Sequence, residues 1–160
     1  MRPKETFVEK LRIAFLVLLI LIALPIILPL VVIALLLSLL HRMAVHALIW
    51  LVWLPRGKDI LLVYSDSPIW HEYMTAQILP LVQSRAVVLN LSERKEWPKW
   101  SLAAHAFRTF GGDREFNPLV VLFRPLRPAL VLRFWSAFRD WKHGRPESVE
   151  AIKRQLLTAL

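Results

Sequence analysis

From Ile13 to Leu40 the chain carries no charged side chain, and 22 of these 28 residues are Leu, Ile, Val or Phe. A surface helix of a soluble domain shows one apolar stripe, whereas this stretch is apolar all round, with Ser38 its one clearly polar residue. Each Leu, Ile, Val or Phe favours membrane insertion by roughly 0.3–0.6 kcal/mol, so the pattern predicts a transmembrane helix over 13–40. At a rise of 1.5 Å per residue it would reach about 42 Å, more than a hydrocarbon core of about 30 Å. Pro25 and Pro29 each remove a backbone donor, and a kink is expected there. A re-entrant hairpin turning at Leu24–Pro29 is the alternative. The run is about twice the usual h-region length and no small-x-small site follows it, which argues against a cleaved signal peptide. Met43–Leu54 is a second apolar stretch, too short to cross, with Trp50 and Trp53 suited to headgroup level. The expected element over 41–57 is an interfacial helix and linker, closed by Leu54-Pro55-Arg56-Gly57. A helix packed on the domain's own core fits the same residues equally well.

Beyond residue 57 the periodicity changes to that of a small α/β domain over 58–160. Asp59–Ser65 and Ala86–Leu91 are short apolar runs rich in strand formers. Between them, Ile69, Trp70, Tyr73, Met74, Ile78 and Leu81 recur at helical spacing after a Ser67-Pro68 start, with Pro80 a helix-kinking position. The charged segment Glu93–Lys99 reads as a loop or a helix start, and Trp100–Phe110 as a short helix stopped by Gly111-Gly112. Leu119–Phe123 is a third strand, and Arg124-Pro125-Leu126-Arg127-Pro128 a tight, donor-poor turn. Ala129–Phe138 is expected as a fourth strand in an antiparallel hairpin, with Arg133 opposite in face to Leu132 and Phe134. Pro146–Leu160 is the closing helix, with Val149, Ile152, Leu156 and Leu157 on its apolar face.

Composition sharpens this picture. Lys and Arg outnumber Asp and Glu by 21 to 12, and the basic leader, residues 1–12, holds only four of the basic and two of the acidic residues. The domain is therefore basic in its own right, which suits an anionic lipid surface, an acidic protein or nucleic acid. Positive charge flanks the apolar run on both sides: Arg2, Lys4, Lys10 and Arg12 before it, Arg42, Arg56 and Lys58 after it. The expectation is a single-pass protein of the inner (cytoplasmic) membrane with its domain on the cytoplasmic side. The absence of cysteine excludes disulfides, zinc–thiolate sites, iron–sulfur clusters and a thiol nucleophile.

The predicted order, β-α-β-α-β-β-α, resembles the thioredoxin-like fold over about Lys58–Leu160. Ile60–Ser65 followed directly by a helix is similar to that family's first strand and active-site helix. Asn117-Pro118 is similar to the proline, usually cis in the family, that precedes the third strand. Where the family carries Cys-x-x-Cys, this chain has Ser65-Asp66-Ser67-Pro68-Ile69-Trp70. Disulfide exchange needs a thiolate, so the resemblance implies a redox-inactive scaffold.

Candidate chemistry is sparse. Ser65, Asp66 and Ser67 sit at the carboxyl end of the first strand, where open α/β sheets bind ligands, with His71 and Glu72 nearby. A membrane-tethered enzyme using Asp66 and His71 is one reading, and helix capping by Ser67 beside Asp66 is the structural one. His41 and His46 flank the bilayer boundary and are the candidates for ligating haem or a pigment, against simple tolerance at an interface. Gly111-Gly112-Asp113-Arg114 is a phosphate loop or, more simply, a helix C-cap and turn. No metal and no other cofactor is expected. Basic and aromatic residues interleave at Arg94, Lys95, Trp97, Lys99 and Trp100, and again at Arg133, Trp135, Arg139, Trp141 and Lys142. With Trp50, Trp53, Arg124 and Arg127, these are the expected partner or lipid contacts, since Trp and Arg are favoured interface anchors. The expectation is thus a non-enzymatic accessory or scaffold subunit of a larger membrane complex, of respiratory or photosynthetic kind, with other subunits and the bilayer as partners. A lipid-surface or nucleic-acid binding module, which uses similar mixtures, is the further alternative, although no nucleic-acid partner is expected.

Overall fold

A computed structural model describes residues 7–98, 100–112 and 117–160. Lys99, the Asp113-Arg114 pair and Arg2, Lys4 and Glu5 of the leader lie outside the described residues. The chain divides into two units, Met1–His41 and Arg42–Leu160.

Helix α1 covers Phe7–Trp53, 47 residues, and passes through both Pro25 and Pro29. The re-entrant turn at Leu24–Pro29 is therefore not formed, because the helical run is unbroken across it. The expected separate element over 41–57 is likewise absorbed, down to Trp53, into the same helix. A turn of 3₁₀ helix, Leu54–Arg56, ends it, with Gly57 at φ +67°, a left-handed cap that glycine takes without Cβ strain. Large apolar side chains from Leu11 to Leu40 are 46–65% exposed, so this part of α1 has no packing partner among the described residues. The helix is long and apolar enough to cross a membrane.

The second unit is α/β. Strands β1 (Ile60–Tyr64), β2 (Ala86–Asn90), β3 (Leu119–Leu122) and β4 (Leu130–Arg133) form one mixed sheet in the order β2-β1-β3-β4. β1 pairs parallel with β2, Ile60 opposite Ala86, and antiparallel with β3, Val63 opposite Leu119. β3 and β4 form the expected antiparallel hairpin, Leu122 opposite Leu130. The central strands are apolar on both faces because helices cover both. Ile60, Leu62, Val120 and Leu122 point to one layer, built from α2 (His71–Tyr73), α3 (Leu79–Val82), α5 (Trp135–Lys142) and α6 (Glu147–Ala159). Leu61, Val63, Leu119, Val121 and Phe123 point to the other, built from α4 (Leu102–Phe110) and the last turns of α1. There Val45, Ile49 and Trp53, spaced four apart on one stripe, are buried. The end of α1 is thus a core element of the second unit.

Between α2 and α3, Met74–Ile78 is π-helical. Pro80 has no N–H to donate and its ring would crowd the carbonyl four residues back, and the wider turn just before it relieves both. Ser101 caps α4, its hydroxyl accepting from the Ala104 amide at 3.2 Å.

One strand ends sooner than its sequence suggests. Ala129–Phe138 was expected to be extended, but β4 stops at Arg133 and α5 begins at Trp135. Phe134, Ala137, Phe138 and Trp141 recur at three- and four-residue spacing, and the first three are buried on one side of the new helix. The Asn117-Pro118 bond is cis.

Candidate functional site

The carboxyl end of β1 gathers the polar residues that the sequence singled out. Chain direction places them: β1 delivers Ser65 and Asp66, β2 delivers Asn90, Ser92 and Glu93 alongside, and Asn117 arrives before β3. The Ser65 hydroxyl accepts from the Trp70 indole N–H at 3.1 Å and lies 2.8 Å from the Asn117 side-chain oxygen, to which it donates. Asp66 accepts from the Asn90 amide at 3.0 Å through Oδ1, and the same oxygen lies 3.3 Å from His71 Nδ1. His71 Nδ1 is enclosed, yet its geometry toward Asp66 falls short of a hydrogen bond. The Asp66 backbone N–H donates to Ser92 Oγ at 3.0 Å. Asn90 also donates to Glu93 at 3.1 Å. The Tyr64 ring meets His71 edge-on at 5.7 Å, and burial, then the carboxylates of Asp66 and Glu93, push its phenol above its ordinary pKa.

Chemically, this is a carboxylate–imidazole pair without a free nucleophile beside it among the described residues. Each nearby serine hydroxyl serves the local framework: Ser65 joins Trp70 to Asn117, Ser67 Oγ accepts the Ile69 amide at 3.4 Å, and Ser92 holds the Asp66 backbone. The helix after Ser67-Pro68 begins only at His71, one turn later than the capping pattern suggests. Asp66 and His71 are about half exposed, 53% and 44% for their side chains, so water screens the pair strongly. Among the described residues no group of three His, Cys, Asp or Glu side chains could hold a metal.

The two histidines proposed as pigment or haem ligands are separated. His41 is exposed and closes the first unit, whereas His46 is half-buried in the second. His46 sits among Trp50 (centroids 4.6 Å), Phe123 (5.4 Å) and Phe110 (5.9 Å). Its Nε2 and the Trp50 Nε1 are enclosed with no hydrogen-bond partner among the described residues.

The expected partner-contact residues fall into four groups rather than one patch. Trp53 is 6% exposed and meets Phe123 edge-on, so it is a core residue and not a surface anchor. Trp97 packs on Phe107 and donates to the Asn90 carbonyl at 3.2 Å, again a structural role. Trp100 is 97% exposed. Trp135 lies under the Arg139 guanidinium, Arg133 is exposed, and Trp141 stacks on Phe138 while keeping part of its ring in solvent. Arg124 and Arg127 stand apart, on the β3–β4 turn at the amino end of β1.

Two features went unremarked in the sequence. The first is Asp59 with Arg85, a two-pronged ion pair (Nε–Oδ1 2.9 Å, with Nη2 to Oδ2) tying the starts of β1 and β2. The second is Leu126, which is 93% exposed at φ +55°. Its signal was present in Arg-Pro-Leu-Arg-Pro, where a proline at the second turn position leaves the leucine at the third.

No family model, no curated protein and no solved structure matches this chain.

Proposed function

We propose that this chain is a single-pass protein of the inner membrane whose basic α/β domain, thioredoxin-like in plan and held on the cytoplasmic side, acts as a non-enzymatic accessory or scaffold subunit of a larger membrane complex. One observation carries the reading: some thirty residues of α1 expose apolar side chains all round, with no packing partner among the described residues. Such a surface is stable only in hydrocarbon or against other apolar helices. The strand order and directions support the thioredoxin-like plan, as does the proline directly before β3. With Ser65-Asp66-Ser67-Pro68-Ile69-Trp70 where that family has Cys-x-x-Cys, thiol chemistry is absent from the plan. Hydroxyls tied into the framework around Asp66 favour a scaffold over a hydrolase. The host complex supplies energy-transducing or similar membrane chemistry, and this chain supplies contacts.

Purification in mild detergent tests this reading: companions should co-elute in fixed stoichiometry, and a well-behaved solitary monomer would overturn it. The 3.3 Å approach of Asp66 to His71 favours a second reading, a tethered enzyme using that pair. Asp66→Asn distinguishes the two, since it abolishes function under the enzyme reading and leaves complex assembly intact under the scaffold reading.

A further inference from the structure

Among the described residues, the one non-glycine at positive φ lies in the β3–β4 turn. Arg124 to Arg127 is a β-turn closed by the Arg127 N–H donating to the Arg124 carbonyl at 3.3 Å, with Pro125 at its second position. Its third position needs a positive φ, where glycine or asparagine is the low-energy choice; here it is Leu126, at φ +55°. A branched-chain residue strained in the backbone and 93% exposed to water gains nothing for the fold from either property. Strain of this sort concentrates where a side chain must be presented to something else. Pro125 and Pro128 stiffen the turn on both sides, so the leucine is held out as a fixed tip.

The surroundings say what the tip meets. Arg124 and Arg127 flank Leu126, and neither has a carboxylate partner among the described residues. Asp59, the acid at this end of the sheet, is already taken by Arg85. Arg124 Nε is enclosed without a hydrogen-bond partner among the described residues, and Arg124 shares with Arg154 an open groove of about 570 Å³ between β4 and α6. An apolar point between unpaired guanidinium groups complements a layer with phosphates outside and hydrocarbon within. Position agrees. The second unit starts at Arg42, two residues after the apolar run ends at Leu40. Arg42 lies over the Phe110 ring, Phe110 meets Phe123 at 5.2 Å, and His46 meets Phe123 at 5.4 Å. Phe123 immediately precedes Arg124. Within the second unit the turn is therefore joined, through Phe123, to the residues that directly follow the apolar run in sequence.

We propose that Arg124–Pro128 is a membrane-docking tip, in which Leu126 enters the interfacial zone of an anionic bilayer while Arg124 and Arg127 bind lipid phosphates. The inference rests on α1 being a membrane anchor.

The chain has no cysteine, so Leu126→Cys gives a single labelling site for an environment-sensitive fluorophore. The full chain is reconstituted in nanodiscs containing phosphatidylglycerol or phosphatidylcholine alone, with Ile69→Cys, exposed beyond the opposite end of β1, as the reference site. In the anionic discs, lipid carrying a shallow nitroxide should quench the label at 126, and aqueous iodide should quench it poorly; the label at 69 should behave oppositely. Removing both charges by Arg124→Gln with Arg127→Gln should lower the docked-to-undocked ratio about thirty-fold, as should high salt in part. A label at 126 that stays open to iodide in anionic discs, with the chain still embedded, overturns the docking tip and leaves the anchor standing. Equal protection in zwitterionic discs or in the double glutamine variant overturns phosphate recognition. A chain that fails to embed at all overturns both the inference and the anchor.

Discussion

Ile49 offers the most direct test of how the second unit is built, because it lies on α1 yet is fully buried against the sheet. Ile49→Ala removes three carbons from that contact, worth about 2.4 kcal/mol in transfer free energy, and leaves a cavity that raises the loss to about 3–4 kcal/mol. Leu48, one residue earlier, is 46% exposed, so Leu48→Ala should cost under about 1 kcal/mol. All seven tryptophans lie at or beyond Trp50, so tryptophan fluorescence reports the second unit alone while α1 stays in its micelle or nanodisc. With a urea slope of about 1.5 kcal/mol per molar, Ile49→Ala should lower the unfolding midpoint by about 2 M and Leu48→Ala by about 0.5 M or less. Equal, small shifts for both variants would refute the packing argument and return Met43–Leu54 to the status of a free interfacial helix.

Two further outcomes follow from particular residues. Leu126→Asn should raise stability by about 0.5–1 kcal/mol in urea melts, since asparagine accepts the left-handed conformation that strains leucine; a loss of stability would contradict the strained-turn reading. Burial, with the hydrogen bond to Glu150 and its charge, pushes the Tyr73 phenol well above its ordinary value. A raised phenol pKa means that the folded state keeps a proton the unfolded chain gives up, so stability is full below about pH 10 and falls as pH rises beyond it. Tyr73→Phe should flatten that alkaline decline in pH-dependent melts, and an unchanged slope would count against the assignment.

The elements most legible in the sequence were those whose residues answer to a single environment. The α1 run, the β1 and β3 strands and the closing helix are apolar or amphipathic throughout, and each lies within a few residues of its expected place. Misreadings arose where one stretch serves two environments. In Ala129–Phe138 the alternation of Leu130, Leu132 and Phe134 runs directly into the helical spacing of Phe134, Phe138 and Trp141, and the first pattern hid the second. Trp53 looked like a headgroup anchor because a tryptophan buried in a core and one lying at an interface have the same neighbours in sequence; only the opposing Phe123 distinguishes them. Leu157, expected on the apolar face of α6, is 49% exposed, while Leu156 beside it is fully buried. The polar cluster at the end of β1 was visible as residue types. Its hydrogen-bond partners, Asn90, Ser92 and Asn117, come from 24 to 52 positions away and could be assigned only once the strands were in register.

The central claim is that α1 holds this chain in a bilayer. Washing membranes that contain the full-length protein with alkaline carbonate, followed by flotation, addresses it directly. The protein should remain with the floated lipid and leave it only on addition of detergent; release of the intact chain into the aqueous fraction by the carbonate wash alone would contradict the account.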